Sequence, residues 1–236
     1  MKRIVISGTY CTGKTTLTQA LSLATGIPAT HALTMREILP ELYPGKTLRE
    51  CAYAELIHLG MRRFEERIRA ESQLSGGFIS DGCTLQEWLY GSTRLITGAY
   101  PDELPWKLRL KQLWNRRSYG DFKKLLRGFE HMAKAYASTH YDLFFHLPVE
   151  FGFVPDGHRP TSESFRTVSE HRLLATYNEL GLPVHKISGS MADRLLQLLT
   201  QLEIEPIQPI ATCIEQAIAI TKTRFDSIKL ESGQDT

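Results

Sequence analysis

Short apolar runs alternate along the chain with longer stretches in which apolar residues recur every three or four positions. The short runs predict strands over 4–6, 78–80, 143–147 and 183–187. The longer stretches predict helices over 13–24, 191–202 and 212–225, and further helices that begin at Thr47, Thr84, Asp121 and Ser162. Strands that alternate with helices of this length are typical of a mainly parallel sheet with helices on both faces, so the pattern predicts an α/β fold.

Composition and charge narrow the classes of protein that this pattern allows. Apolar residues make up 42% of the 236 residues and charged residues 23%, which argues against disorder. Twenty-eight Lys and Arg residues stand against 26 Asp and Glu residues, and the net charge of +2 gives no reason to expect nucleic acid or an anionic membrane as a partner. The four cysteines are scattered without a CxxC pair, so we expect reduced thiols in a cytoplasmic protein.

A glycine-rich sequence between the first strand and the first helix matches the phosphate-binding motif G-x-x-x-x-G-K-[ST]. Its glycines let the backbone curl so that successive N–H groups face one anion, and the N-terminus of the following helix adds partial positive charge. We expect Lys14 to reach the β- and γ-phosphates and the Thr15 hydroxyl to ligate Mg²⁺. The residues predicted to bind the nucleotide are Gly8, Thr9, Tyr10, Cys11, Thr12, Gly13, Lys14, Thr15 and Thr16.

Asp81 follows the predicted strand over 78–80 and precedes a helix. This position puts a carboxylate at the carboxyl edge of the sheet, where open α/β sheets bind ligands. In phosphoryl transfer such an acid holds Mg²⁺, together with Thr15, or accepts the proton of a substrate hydroxyl. The alternative is a helix cap, a role that Thr84 already fills in the predicted structure.

A loop rich in proline and charge follows the predicted strand over 143–147. It contains Asp156 and Arg159, and Arg166 lies in the helix that comes next. A mobile loop that brings an arginine over the phosphates would neutralise developing charge and exclude water, so Arg159 is a candidate catalytic residue. Asp156 and Arg166 are candidate substrate-binding residues. For Arg166 the alternative is an ion pair with a neighbouring glutamate of its own helix.

Five segments together resemble one family. They are the glycine-rich loop, Met35-Arg36-Glu37-Ile38-Leu39, Ile79-Ser80-Asp81-Gly82, Tyr141-Asp142-Leu143-Phe144-Phe145-His146-Leu147-Pro148 and Phe153-Val154-Pro155-Asp156-Gly157-His158-Arg159-Pro160. They are similar to AAA-domain ATPases and kinases related to the nicotinamide-riboside kinase domain of NAD metabolism, within the wider nucleoside and nucleotide kinases. The resemblance covers about residues 2–202. It implies a Rossmann-like P-loop fold, the use of ATP and Mg²⁺, and phosphorylation of a small molecule, with Arg36 facing the acceptor and Arg159 acting from a lid.

The chain departs from the pattern of that family at two places. It has Asp81-Gly82-Cys83 where such kinases often carry Asp-Arg-Ser, and it lacks an acidic residue that is common after the second strand. The missing arginine usually helps to hold an acceptor or its phosphate. The sequence therefore leaves open whether the acceptor is nucleoside-like or a specialised metabolite.

A basic stretch over 107–134 is a further candidate site. It holds nine Lys and Arg residues against two acidic residues, a local balance of +7, with Trp114 and Tyr119 among them. We interpret it as a solvated helical face. A surface for a phosphorylated acceptor or a nucleic acid strand is the alternative.

The sequence therefore predicts a P-loop kinase-like domain over 1–205, folded as a Rossmann-like three-layer sandwich, and a C-terminal helical appendage and tail over 206–236. The predicted function is transfer of the γ-phosphate of Mg-ATP to a hydroxyl of a small molecule. The candidate catalytic residues are Lys14, Asp81 and Arg159, the candidate substrate-binding residues are Arg36, Asp156 and Arg166, and the candidate metal ligands are Thr15 and Asp81. The alternatives are a regulatory P-loop ATPase with a protein or RNA partner and a kinase of polynucleotide ends. No membrane partner is expected, and a homodimer is left open.

Overall fold

The computed structural model describes residues 2–48, 50–97, 104–150, 152 and 163–227. Its strands are β1 (Arg3–Gly8), β2 (Ala29–Thr30), β3 (Phe78–Asp81), β4 (Leu143–Leu147) and β5 (Val184–Lys186). Its helices are α1 (Lys14–Thr25), α2 (Met35–Leu42), α3 (Tyr53–Ser72), α4 (Thr84–Thr97), α5 (Pro105–Trp114), α6 (Arg116–His140), α7 (Glu163–Glu179), α8 (Met191–Leu202) and α9 (Ile210–Ser227).

One parallel sheet organises the described part of the chain, with strand order β2-β3-β1-β4-β5. The central strand β1 is buried on both faces, which explains why Ile4, Val5 and Ile6 in its middle are all apolar rather than alternating with polar residues. Val5 packs with α3, α4, α6 and α7 on one face, whereas Ile4 and Ile6 pack with α1, α8 and α9 on the other. The predicted α/β class and Rossmann-like P-loop architecture are confirmed.

The last helix packs onto the body of the protein. Cys213 and Ala217 of α9 are fully buried in the same apolar cluster as α1 and α8. The segment before α9 is tied to the end of α1, because Ile207 N–H donates to Ala24 O at 2.8 Å and Gln208 Nε2 donates to Leu23 O at 3.2 Å. None of the described helices has the length and apolarity that crossing a membrane requires.

Two predicted helix starts are wrong for local reasons. Thr47 does not begin α3, because Thr47 and Glu50 close a separate turn through Thr47 N–H and Glu50 Oε2 at 2.8 Å. The helix begins at Tyr53, where the Glu55 carboxylate accepts from Ala52 N–H at 2.8 Å. Asp121 does not cap a helix either, since it lies inside α6.

The start of α4 also differs in its chemistry. Thr84 is the first residue of α4 rather than its cap, and its hydroxyl donates to Ala133 O at 3.0 Å, while the Gln86 side-chain oxygen accepts from Cys83 N–H at 2.9 Å. The short helix α2 was not predicted at all. It begins with a complete capping box between Thr34 and Glu37. Ser162, predicted to cap the helix that is now α7, lies outside the described residues.

Candidate functional site

The loop between β1 and α1 has the backbone of an anion-binding nest. Three of its residues take positive φ values: Gly8 at 145°, Cys11 at 56° and Gly13 at 87°. A Cβ at Gly8 would lie only 2.7 Å from Leu147 O, so that position cannot carry a side chain without a shift of β4. Gly13 has no side chain with which to cap α1, so the first N–H groups of that helix remain available to an anion.

Three side chains gather where this loop meets the end of β3. The Lys14 ammonium donates to Thr9 O, which holds it against the loop. The Thr15 hydroxyl donates to Asp81 Oδ2 at 2.8 Å. His31 Nδ1 lies 3.3 Å from the same carboxylate oxygen. The structure thus brings the predicted Lys14, Thr15 and Asp81 together and adds His31, which has no ligand-like spacing in the sequence and was interpreted as structural.

The Asp81 carboxylate is strongly held in its ionised form. Burial acts to raise its pKa, but the hydrogen bond from His31, the positive charges of His31 and Lys14, and the Thr15 hydroxyl together lower the pKa well below the usual range of aspartate. An acid of this kind is ionised at neutral pH and is a weak proton acceptor. The environment therefore favours Asp81 as a metal ligand over Asp81 as a general base.

One oxygen of Thr15 and one of Asp81 fit a magnesium ion. Thr15 Oγ1 and Asp81 Oδ2 are hard oxygen ligands 2.8 Å apart at the mouth of the phosphate loop. Within the described residues no group of three or more His, Cys, Asp or Glu side chains forms a metal cage. Mg²⁺ commonly takes one or two protein oxygens and completes its shell with water and substrate phosphates, so the donor set suits a nucleotide-bound ion.

A cleft rich in arginine adjoins this group. Lys14, Thr15 and Asp81 line it, and so does the predicted substrate-binding residue Arg36 of α2. Four more arginines of the described chain also line it: Arg63 and Arg67 of α3, Arg94 of α4 and Arg224 of α9. The last helix thus contributes to the cleft, where Arg224 Nη2 donates to Ala32 O at 3.3 Å and lies 3.8 Å from Glu37.

Arg67 is the buried anchor of this cleft and was missed in the sequence analysis. Its guanidinium donates to Glu87 Oε1 at 2.8 Å, to Ser80 Oγ at 2.8 Å, and to the backbone oxygens of Asp81 and Gly82 at 3.1 Å each. It therefore fixes the end of β3 and the turn that follows. A single charged residue on a long helix gives no sign in the sequence that its charge is buried. Only the fold shows that Arg67 is buried.

The Arg67 network explains the glycine that replaces the arginine common in the resembling family. Gly82 has a φ of 87°, and a Cβ there would lie 2.3 Å from Gln86 Oε1 and 3.4 Å from Arg67 Nη2. A larger residue at 82 would collide with the Gln86 side chain and would be strained at this positive φ. The guanidinium beside the acid at the end of β3 comes instead from α3.

Aromatic rings form another wall of the cleft. Tyr10 of the phosphate loop stacks on Tyr90 of α4, with ring centroids 4.3 Å apart and planes at 20°. Phe165 of α7 lies 6.0 Å from the Tyr10 ring and also lines the cleft. Tyr10, predicted only as part of the backbone loop, therefore also offers an apolar surface.

Two further side chains hold the loop, one from α8 outside the cleft and one from α4 in the wall of the cleft. Arg194 of α8 donates to Thr12 O at 2.7 Å and to Glu150 Oε2 at 2.7 Å, and it is 3% exposed. Gln86 donates to Gly8 O. Neither was predicted, because an arginine on α8 and a glutamine on α4 carry no sequence motif that refers to the loop.

The other predicted residues have different outcomes. Thr12 donates to Thr9 O at 3.1 Å within the loop, and Thr16 lies in the first turn of α1. Arg166 is buried in α7, 3.7 Å from Glu163, and is not among the residues that line the cleft. Asp156 and Arg159 lie outside the described residues.

The basic stretch over 107–134 forms no part of the cleft in the described residues. Its apolar residues Phe122, Leu126 and Phe129 are buried, whereas Lys123, Lys124 and Arg127 are exposed. This arrangement is that of an amphipathic helix with a solvated basic face.

Comparison with known proteins agrees with this architecture. A family model described as an AAA domain matches residues 3–194. The chain belongs to this AAA-domain family. No curated protein matches the sequence at a significant level.

Solved structures share the fold of this AAA-domain protein at low sequence identity. Deoxyadenosine kinase from M. mycoides with bound dATP has a TM-score of 0.57 and 11% identity, covering 86% of this chain and 100% of that chain. NadR protein in complex with NR has a TM-score of 0.56 and 16% identity. That match covers 88% of this chain and 54% of the NadR chain, so the protein spans about half of the NadR length. At these identities the likeness concerns the fold.

Proposed function

We propose that the protein is an ATP-dependent phosphotransferase that moves the γ-phosphate of Mg-ATP to a hydroxyl group of a small molecule. The observation that carries the proposal is the contact between Thr15 of the phosphate loop and Asp81 at the end of β3, beside Lys14. A cleft with its own aromatic and arginine walls adjoins this contact, as a second substrate would require. Fold likeness to deoxyadenosine kinase and to NadR is consistent with it.

Each residue has a stated role in this proposal. The loop amides from Gly8 to Thr15 and the Lys14 ammonium bind the β- and γ-phosphates and orient the terminal phosphorus. Thr15 and Asp81 would hold Mg²⁺, which when bound draws off negative charge from the phosphate oxygens. Arg36 faces the acceptor, and Arg159 is proposed as the lid arginine. Asp156 and Arg166 remain proposed substrate-binding residues.

The transfer step itself is a simple displacement. The acceptor hydroxyl oxygen forms a bond to the γ-phosphorus, and the bond from that phosphorus to the β–γ bridging oxygen breaks, so ADP leaves. The hydroxyl proton is released to water or to a phosphate oxygen, because the lowered pKa of Asp81 makes that carboxylate a poor acceptor. Positioning and charge neutralisation then supply most of the rate enhancement.

A direct experiment tests this function. Purified protein is incubated with Mg-ATP and a metabolite library, and products are detected by the mass of one added phosphoryl group. Lys14→Ala and Asp81→Asn are each expected to lower transfer by at least about 100-fold. Gln201→Ala, on the exposed surface of α8, serves as the control that leaves transfer unchanged. Full activity of Asp81→Asn would remove Asp81 from the mechanism.

A regulatory ATPase remains the second candidate because of one surface. Trp114 is 94% exposed at the end of α5, next to the basic start of α6. A large exposed aromatic side chain beside positive charge is typical of a macromolecular contact. Slow ATP hydrolysis that a protein or RNA accelerates, with no phosphorylated small product, would favour this candidate.

We also propose a cytoplasmic location, supported by four free cysteines, two of them buried.

A further inference from the structure

We propose that the acceptor is a phosphate monoester, whose existing phosphate is bound by the arginines of the cleft while a hydroxyl elsewhere in the same molecule receives the new phosphoryl group. This inference rests on the proposed function and names its substrate class. One of the fold neighbours named above is a deoxyadenosine kinase, and the inference departs from a neutral nucleoside acceptor.

The balance of charge in the cleft is its first support. Five arginines and Lys14 line the cleft in the described structure, against Asp81 as the one carboxylate among the lining residues there. The carboxylates behind the wall account for part of this charge. Glu87 lies 2.8 Å from Arg67 Nη2 and 3.0 Å from Arg63 Nε, so it is shared between two guanidinium groups.

Arg94 is the second support. It lies in the last turns of α4 and lines the cleft, and its guanidinium makes no hydrogen bond or ion pair with a side chain or backbone group that the structure describes. A half-buried guanidinium that faces a cleft without a carboxylate partner is costly unless a ligand supplies the charge. The phosphates of ATP are already matched by Lys14 and the loop amides, so Arg94 calls for a second anion.

The position of the arginines relative to Asp81 is the third support. Arg67 donates to Asp81 O, and Arg63 and Arg67 both pair with Glu87. These two guanidinium groups therefore adjoin Asp81 at the end of β3. Arg63 and Arg67 of α3 and Arg94 of α4 line the same cleft as Lys14 and Thr15 of the phosphate loop, but they belong to other elements of the fold. An anion bound there would be fixed while another part of the same molecule reaches the γ-phosphate.

The chemistry of guanidinium groups favours a phosphate as that anion. Guanidinium groups form bidentate, charge-assisted hydrogen bonds with phosphate oxygens, and a phosphate monoester offers up to two negative charges to more than one of them. A neutral acceptor would be surrounded by positive charge that it cannot match. The stacked Tyr10 and Tyr90 rings and Phe165 provide a flat apolar wall for the rest of the acceptor.

In the reaction the bound phosphate stays unchanged. The acceptor hydroxyl oxygen bonds to the γ-phosphorus of ATP, the bond to the β–γ bridging oxygen breaks, and ADP leaves while the hydroxyl proton passes to water. The product therefore carries two separate phosphate monoesters. Mass spectrometry and phosphorus NMR distinguish this product from a diphosphate.

Matched pairs of acceptors test the inference. The pairs are adenosine with adenosine 5′-monophosphate and ribose with ribose 5-phosphate, so that nucleotide and sugar-phosphate sources are compared, and a sugar carboxylate tests whether any anion suffices. We expect the phosphorylated member of at least one pair to have a kcat/KM about 100-fold or more above its neutral partner. Equal or better use of the neutral members, or of the carboxylate, would overturn the inference.

Variants connect the preference to the arginine. Arg94→Gln is expected to raise the KM for the phosphorylated acceptor about 10- to 100-fold, the loss of one or two charge-assisted hydrogen bonds. The same change at the exposed Arg69 of α3 is the matched control and should leave this KM unchanged. An Arg94→Gln enzyme with an unaltered KM would contradict the inference, and so would one that weakens nucleotide binding by the same factor.

A binding experiment separates failure of the inference from failure of the proposed function. Calorimetry with a non-hydrolysable ATP analogue present measures the affinity for adenosine 5′-monophosphate and ribose 5-phosphate without any transfer. If no acceptor is phosphorylated but one of these anions binds the wild type and binds Arg94→Gln at least about 10-fold more weakly, the kinase function fails and the anion site stands. If neither anion binds in preference to its neutral partner, the anion site fails whatever the activity.

Discussion

Replacing the buried Arg67 by methionine should destabilise the protein severely. The side chain is 1% exposed, and methionine has a similar length without charge or donors. The change removes the hydrogen bonds to Glu87, Ser80 and the backbone oxygens of Asp81 and Gly82. It leaves the Glu87 carboxylate, whose side chain is fully buried, with only Arg63 within ion-pair distance among the described residues.

The magnitude follows from what is left behind. Removing one partner of a buried ion pair costs about 3–5 kcal/mol, because the other charge stays out of water. For a chain of this length the entropy of unfolding is about 0.5 kcal/mol per degree, so this cost corresponds to a melting temperature lower by about 6–10 °C. Arg67→Met combined with Glu87→Gln should recover part of the loss, since the charge stranded on Glu87 is then gone, although the buried Glu71 carboxylate, 3.8 Å from Arg67 in the wild type, remains.

Urea unfolding followed by circular dichroism measures both variants against the wild type. Nucleotide binding to the folded Arg67→Met protein should weaken as well, because the end of β3 loses three of its contacts. Two results would refute the account of Arg67 as the anchor of a charged network. One is a loss of stability below about 1 kcal/mol in Arg67→Met. The other is a double variant that is less stable than Arg67→Met by the full cost that Glu87→Gln has alone.

The remaining predictions concern the phosphate loop and its acid. Gly8→Ala should abolish nucleotide binding and lower stability by about 1–3 kcal/mol, because its Cβ would lie 2.7 Å from Leu147 O. The control is Gly128→Ala in α6, which has open space around it and should be neutral or stabilising by up to about 1 kcal/mol. Calorimetric binding and thermal unfolding measure both, and equal behaviour would contradict the geometry. Arg194→Met should weaken nucleotide binding about 10-fold, because the loop loses the bond to Thr12 O, and an unchanged dissociation constant would show that the loop keeps its shape without it. The pKa of Asp81 is lowered in the folded protein, so the unfolded chain binds more protons at this carboxylate. The ionised carboxylate therefore stabilises the fold above the unfolded pKa of about 4, and this stabilisation is lost as the pH falls below that value. Urea titrations between pH 5 and pH 3 should therefore show a shallower loss of stability in Asp81→Asn than in the wild type, and parallel curves would argue against the shift.

The parts of the structure that depend on local pattern were predictable from the sequence. The strand at β1, the loop after it and helix α8 follow from β-branched runs, a glycine motif and an apolar stripe, each a property of neighbouring residues. The acid Asp81 was predictable because strand ends in parallel sheets carry ligands. Its contact with Thr15 across 66 positions follows from the register of β1 with β3.

The parts that depend on distant partners were not predictable. Thr84 was expected to cap α4, but it is the first residue of that helix, and its hydroxyl donates to Ala133 O of the distant helix α6. Arg67 and Arg94 look like ordinary charged positions of amphipathic helices, and only the packing of α3 and α4 shows that one is buried and the other faces the cleft. By contrast, the capping box of α2 between Thr34 and Glu37 is a local signal present in the sequence, and α2 was predictable from it.

The packing of α9 against α1 has a consequence for how the chain folds during synthesis. Helix α1 ends at Thr25 and its partner α9 begins at Ile210, so a ribosome must add roughly 185 residues between them. At about 5–20 residues per second this takes on the order of 10–40 s. For that time the side of α1 that α9 will cover is exposed to water and to other chains, which makes the nascent protein a candidate client for a holding chaperone until its last helix arrives.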